Sequence, residues 1–245
     1  MILLIDLGNS RGKWATWTGD QYSQQGAVDR HAAEWEGQLR RHFQALATPD
    51  QILLASVADP EVGATTRNII GSLWGREPVQ LLTRARQCGV HNAYSEPGQM
   101  GVDRWLAMLA AWNRFQCAVC VVDIGTAMTV DMVTAEGRHL GGLITPGFAL
   151  SESVLHANTA GIRQAGPEAS LGLGQSTGAC VANGSLISML GMLRIALELM
   201  ECECGAGGKL VVTGGDASRM LPLLPPSAVH IHNLVFDGML LAGKD

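Results

Sequence analysis

Two apolar runs in this chain stop in the same way. MILLIDLGNS at 1–10 and CAVCVVDIGT at 117–126 each carry a short hydrophobic segment into an aspartate, then a glycine, then a small polar residue. In the first, residues 1–5 read as a strand, Gly8 to Gly12 as a tight polar turn, and the alternating KWATW at 13–17 as a second strand. Helical spacing follows over 30–46, a strand over 52–57, a helix over 62–74 and a short strand over 79–83. Residues 84–100 are polar and hold glycine and proline, so they read as a long loop of the kind that usually carries function. GVDRWLAMLAAWNRF then has apolar residues at helical spacing, with Asp103 and Arg104 in its first turn.

The second half opens as the first does. CAVCVVDIG, TAMTVDMV and RHLGGLITP read as three consecutive strands, followed by a helix over 148–155, a polar stretch, a long helix over 175–200, the strand KLVVTGG and a helix over 234–241. Alternating strands and helices in both halves predict an α/β fold. The self-similarity of LLIDLGNS and CVVDIGTA suggests a duplicated unit, with halves at 1–114 and 115–245 and no flexible linker between them.

Composition narrows the function. Hydrophobic residues make up 47% of 245 and charged residues 16%, which is ample for a packed core. The net charge of -5 offers no basic field for a phosphate backbone, so nucleic acid is not an expected partner. Asp6 interrupts the first apolar run, and no uninterrupted stretch approaches the roughly 20 residues of a membrane span. The expected setting is soluble and cytoplasmic, with no membrane partner. Cys117 and Cys120 form a CxxC, but on a strand their thiols would face opposite ways. With Cys88, Cys180, Cys202 and Cys204 they read as reduced thiols rather than a metal site.

A strand that delivers a carboxylate to its end, then a glycine turn with exposed N–H and hydroxyl groups, can cradle a phosphate. Ser10 or Thr126 would donate, Lys13 would add charge, and the aspartate would hold a cation on the phosphates. One such turn is equally a hairpin whose aspartate caps it. Two in matching positions, with TGG at 213–215 as a third glycine turn, favour phosphate binding. Asp103 and Arg104 supply a base and a cation in one helical turn, although alone they would read as a dipole-favoured carboxylate and its surface partner.

The pattern resembles the actin-like ATPase fold, in which two ribonuclease-H-like halves, each with a mixed sheet, close around ATP in a cleft. More narrowly, DLGNSRGKWA at 6–15, YSEPGQMGVDRW at 94–105, DIGTAMTVD at 123–131, GGLITPG at 141–147 and STGACVANG at 176–184 resemble the type III pantothenate kinase family in order and spacing. The resemblance implies ATP-dependent phosphorylation of pantothenate at its terminal hydroxyl, the first step toward coenzyme A. It implies that Asp6, Leu7, Gly8, Asn9, Ser10, Arg11, Gly12 and Lys13 form the first phosphate loop, with Asp6 near Mg²⁺, and that Thr126 contacts ATP. Asp103 takes the role of general base. Tyr94, Gly101, Val102, Asp103, Arg104 and Thr177 take the pantothenate contacts, and Asp123 that of the ligand for a monovalent cation, K⁺ or NH₄⁺. A homodimer is implied as well.

Ser10 stands where the family commonly has threonine, and the segment LHANTAGIRQAGP departs from the usual family text, which leaves contacts after Asn158 unassigned. His156 reads as a helix-end residue, Asp131 as support for the hairpin, Asn9 as an orienting residue of the first loop and Trp105 as core or dimer contact. The rival readings are a non-catalytic transcriptional accessory factor of the same fold and an actin-like kinase for another small acid or alcohol.

Overall fold

The computed structural model describes residues 1–162 and 168–245. Its contacts gather into two units: residues 1–89, 94–110 and 234–245 form unit 1, and residues 90–93 and 111–233 form unit 2. The C-terminal helix thus belongs with the N-terminal sheet, and a four-residue segment near the middle of the chain belongs with the second.

Unit 1 is built on β1 (Ile2–Leu7), β2 (Arg11–Thr18), β3 (Gln21–Asp29), β4 (Gln51–Ser56) and β5 (Val79–Gln80), in the order β3-β2-β1-β4-β5. β1, β2 and β3 are antiparallel neighbours, while β4 and β5 are added in parallel, so the sheet is mixed. Helices α1 (Trp35–Gln44) and α2 (Pro60–Trp74) cover one face. There Leu3, Ile5, Leu7, Ile52 and Leu54 pack with Leu39, Phe43, Ile69 and Ile70. The period-two alternation of a strand sends Leu4, Asp6, Leu53 and Ala55 to the opposite face. On that face lie α3 (Val102–Phe115), most of which is in unit 1, and the C-terminal helix Leu234–Ala242. Gly243, just past that helix, sits against Leu53, and Gly238 packs so closely on the backbone of Leu106 that a side chain there would collide with its carbonyl.

β3 is not apparent in the sequence. QYSQQGAVD buries only Val28 fully, so an edge strand held by its ladder to β2 carries almost no hydrophobic signature. α1 begins at Trp35 rather than near residue 30, because Arg30 is still paired through its backbone to Ser10. The 84–100 loop contains the short pair β6 (Arg86–Gln87) and β7 (Val90–His91) and a 3₁₀ turn at Pro97–Gln99.

Unit 2 repeats the plan. β8 (Val119–Ile124), β9 (Ala127–Val133), β10 (His139–Pro146), β11 (Lys209–Thr213) and β12 (Val229–His230) run in the order β10-β9-β8-β11-β12. This is the strand order of unit 1 with each strand in its corresponding place. α4 (Phe148–Asn158), α5 (Thr177–Cys204) and the short α6 (Ala217–Met220) follow, and α7 is the Leu234–Ala242 helix already placed in unit 1. α5 opens on Ser176, whose hydroxyl accepts a hydrogen bond from the Ala179 amide as an N-cap. Leu186, Met189, Leu193, Ala196 and Met200 recur along one stripe of α5 and pack on Cys120, Val122, Val130 and Val212. α5 is the one described helix long and apolar enough by composition for a membrane span, and a third of its most apolar window is packed inside the protein.

Candidate active site

The first phosphate loop is the β1–β2 connection. Asp6 lies opposite Lys13 in the antiparallel ladder, so the two side chains leave the same face of the sheet, and Asp6 is almost wholly buried. Leu7 is in the core. The Gly8 amide donates to the Arg11 carbonyl at 2.9 Å and closes the turn. Asn9 and Arg11 are exposed and Ser10 half-buried, while Gly12 is enclosed between Leu7 and Val28. Behind the loop lies a residue with no sequence signal: Arg30, whose Nη1 donates to the carbonyls of Gly8 at 2.6 Å and Asn9 at 2.7 Å.

The acceptor residues are gathered in the same unit. Asp103 is in the first turn of α3, where its Oδ1 accepts from the Arg104 amide at 2.8 Å. A side chain at position 101 would lie 2.6 Å from that oxygen, so Gly101 is the residue that lets the carboxylate fold back over the helix start. Val57 lies 3.5 Å from the same point, and its amide donates to the Leu7 carbonyl. Gly101 and Asp103 therefore stand at the end of β4, on the sheet face that carries Asp6. Val102 is buried. Arg104, 8% exposed, donates from Nη1 to the Tyr94 hydroxyl at 3.2 Å and lies over the Tyr94 ring. Tyr94, Gly101, Asp103 and Arg104 are thus brought together. Trp105 is core, and its indole N–H donates to Gln87 at 3.1 Å.

In unit 2 the corresponding turn is DIGT at 123–126. Asp123 lies opposite Thr129 in β9 and beside Thr213 in β11. Gly214, at φ +102, follows Thr213, and a Cβ there would lie 2.5 Å from the Asp123 carboxylate and closer still to the Ile124 carbonyl. Only glycine fits that backbone and that space. The Thr126 carbonyl accepts the Gly147 amide at 2.9 Å, so this turn, like the first, is held from behind through a carbonyl. Thr126 itself is exposed.

Thr177 begins α5 and lines an open hollow of about 440 Å³ with Thr145, Ser151, Cys180 and Ser185. His156 lies in the last turn of α4 and is half-buried. Residues 163–167 of the atypical segment lie outside the described residues. Asp131 has a more definite place than the support of a hairpin: its Oδ1 is 3.2 Å from Nε2 of His139, with both side chains buried, and His139 Nδ1 accepts the Ala93 amide at 3.3 Å. His139 escapes sequence reading because a lone histidine after a glycine turn has no distinguishing pattern.

The profile of the type III pantothenate kinases matches residues 2–198. A type III pantothenate kinase of Nitrosococcus oceani is 36% identical over all of this chain and 94% of its own length. That of Alkalilimnicola ehrlichii is 36% identical over 99% of this chain and 98% of its own. The chain belongs to the type III pantothenate kinase family. Its members are phosphotransferases, and the doubled mixed sheet of this one is the actin-like ATPase fold. Two solved structures agree in fold alone: a Campylobacter jejuni protein described as a Baf family transcriptional activator, at TM-score 0.63 and 20% identity over 99% of this chain and 97% of that one, and a Sinorhizobium meliloti protein described as a 2-dehydro-3-deoxygalactonokinase, at TM-score 0.60 and 13% identity over 100% and 98%.

Proposed function

We propose that this type III pantothenate kinase family member transfers the terminal phosphoryl group of ATP to the terminal hydroxyl of pantothenate, giving 4'-phosphopantothenate, the first step of coenzyme A synthesis. The observation that carries the reading is the grouping in unit 1 of Asp103, Arg104 and Tyr94 beside the strand end that bears Asp6. Phosphoryl transfer asks a protein mainly for positioning and charge neutralisation. Asp103 takes the proton of the attacking hydroxyl as its oxygen bonds to phosphorus, and ADP leaves. Arg104, backed by Tyr94, supplies the cation for an anionic acceptor. Residues Asp6–Lys13 take the phosphates, with Lys13 adding charge, and Thr126 adds a hydroxyl contact to the nucleotide. Thr177 is assigned to pantothenate from the family pattern.

The donor chemistry suits the ions that the family pattern implies. Asp6, a hard carboxylate at a strand end, fits Mg²⁺ held largely by phosphate oxygens and water. Mg²⁺ would neutralise charge on the phosphates. Asp123, with Thr129 and Thr213 beside it in the ladders, offers oxygen ligands suited to K⁺ or NH₄⁺. A homodimer is supported by the apolar side chains that unit 2 leaves exposed on β10, α4 and α5, among them Ile144, Val154, Ile187, Ile195 and Leu199. A cytoplasmic setting suits a substrate and donor found there.

The test is ADP formation from ATP and Mg²⁺ with and without pantothenate, in potassium or in sodium, alongside light scattering for the dimer. Pantothenate-dependent turnover is expected. Its absence in the wild-type protein under every cation would sink the kinase reading.

A further inference from the structure

We propose that Arg30 is a positioning residue for the nucleotide, fixing the phosphate loop so that the N–H groups of Asn9 and Ser10 face the phosphates together. The proposal rests on the kinase reading for its ligand and on the peptide planes of the loop for its geometry. All described peptide bonds are trans. In a trans peptide the carbonyl of one residue and the N–H of the next point in opposite directions. Arg30 Nη1 holds the carbonyls of both Gly8 and Asn9, at 2.6 and 2.7 Å, which turns the amides of Asn9 and Ser10 away from the guanidinium and toward one side. Successive amides aimed at one side form a concavity for an anion. The Arg30 amide takes the next carbonyl, that of Ser10, at 2.9 Å, so one residue anchors three consecutive carbonyls of the turn.

One further observation concerns how the two turns are held. The loop carbonyls of Gly8 and Asn9 are held by a charged side chain, whereas in the matching turn of unit 2 the Thr126 carbonyl is held by a backbone amide, that of Gly147. A guanidinium is suited to the task because its fork reaches two acceptors at once and remains charged at every working pH, adding positive potential behind the amides.

The test uses the whole protein and ligand-observed NMR titrations with ADP and with adenosine, which lacks phosphates, beside steady-state kinetics and a thermal melt. Arg30→Met keeps the apolar stem and removes the donors. It is expected to weaken ADP about tenfold while adenosine stays within about twofold. KM for ATP should rise and KM for pantothenate hold. Arg30→Lys, which restores one charged donor, should fall between the two and serves in place of Arg30→Met if that variant fails to fold. Unchanged ADP affinity, or equal loss of ADP and adenosine, overturns the proposal. A wild-type protein that binds ADP in this phosphate-dependent way but never turns over pantothenate leaves Arg30 its role and removes the acceptor reading instead.

Discussion

The Arg104 guanidinium donates to the Tyr94 hydroxyl across 3.2 Å, joining the start of α3 to the interior of the long loop before it. Because Arg104 is almost wholly buried, its direction is set by this contact and by the packing around it rather than by solvent. The charge is thereby presented in a fixed place beside Asp103. Tyr94→Phe should raise KM for pantothenate by about tenfold and lower kcat much less, since it loosens a binding group and leaves the base intact. Equal KM in wild type and variant would separate Tyr94 from the acceptor.

Asp103→Asn keeps the shape of the helix start and removes the base. Turnover should fall by about 10²–10⁴-fold, the usual range for a positioned general base, with ATP binding unchanged. A loss smaller than about tenfold would mean that another group accepts the proton.

Gly214→Ala should lower stability by at least about 2 kcal/mol, because alanine is strained at φ +102 and its Cβ meets the Asp123 carboxylate. Denaturant midpoints would measure this. A variant as stable as wild type would show that the Thr213–Asp216 turn can move aside.

The buried Asp131–His139 pair holds the 90–93 segment to the second sheet through the Ala93 amide. Since Nδ1 accepts from Ala93, Nε2 carries the proton and donates to Asp131. His139→Ala leaves a buried carboxylate without this donor and should cost about 3 kcal/mol or more. Replacing both residues by apolar ones of similar volume should recover most of that loss, which a urea titration of the single and double variants can test.

Tyr22, on β3, donates to Asp237 of α7, and its pKa is raised by burial, then by that hydrogen bond and the carboxylate's charge. A group whose folded pKa exceeds its unfolded value contributes its full stability below the unfolded value, near 10, and loses it as the pH rises. Thermal stability should therefore fall as the pH is raised above about 10 in the wild type and fall less in Tyr22→Phe. Parallel curves for the two proteins would contradict the assignment.

Both aspartate turns and the Asp103 helix are legible in the sequence because each combines a strong hydrophobic period with a glycine at a fixed place. The topology is legible only in part. β3 is hidden because its nine residues bury a single side chain fully, and α7 joins the first unit although nothing in LVFDGMLLA names its partner. Arg30 and His139 are missed for a shared reason: each acts by holding a backbone group that is distant in sequence, and spacing along a chain does not encode such pairs.

The return of α7 to the first sheet has a consequence for how the protein is made. Residues 111–233 contain the strands and long helix of unit 2 and leave the ribosome before α7 does, whereas β1, made earlier than either, waits for residues 234–242 to cover the face that bears Leu4, Asp6 and Leu53. Synthesis and closure thus run in opposite orders, with the earlier sheet completed after the later one. Nascent chains arrested with α7 still in the exit tunnel and all of unit 2 outside it should resist protease over unit 2 and be cut within unit 1, leaving the phosphate loop without its finished support until α7 emerges.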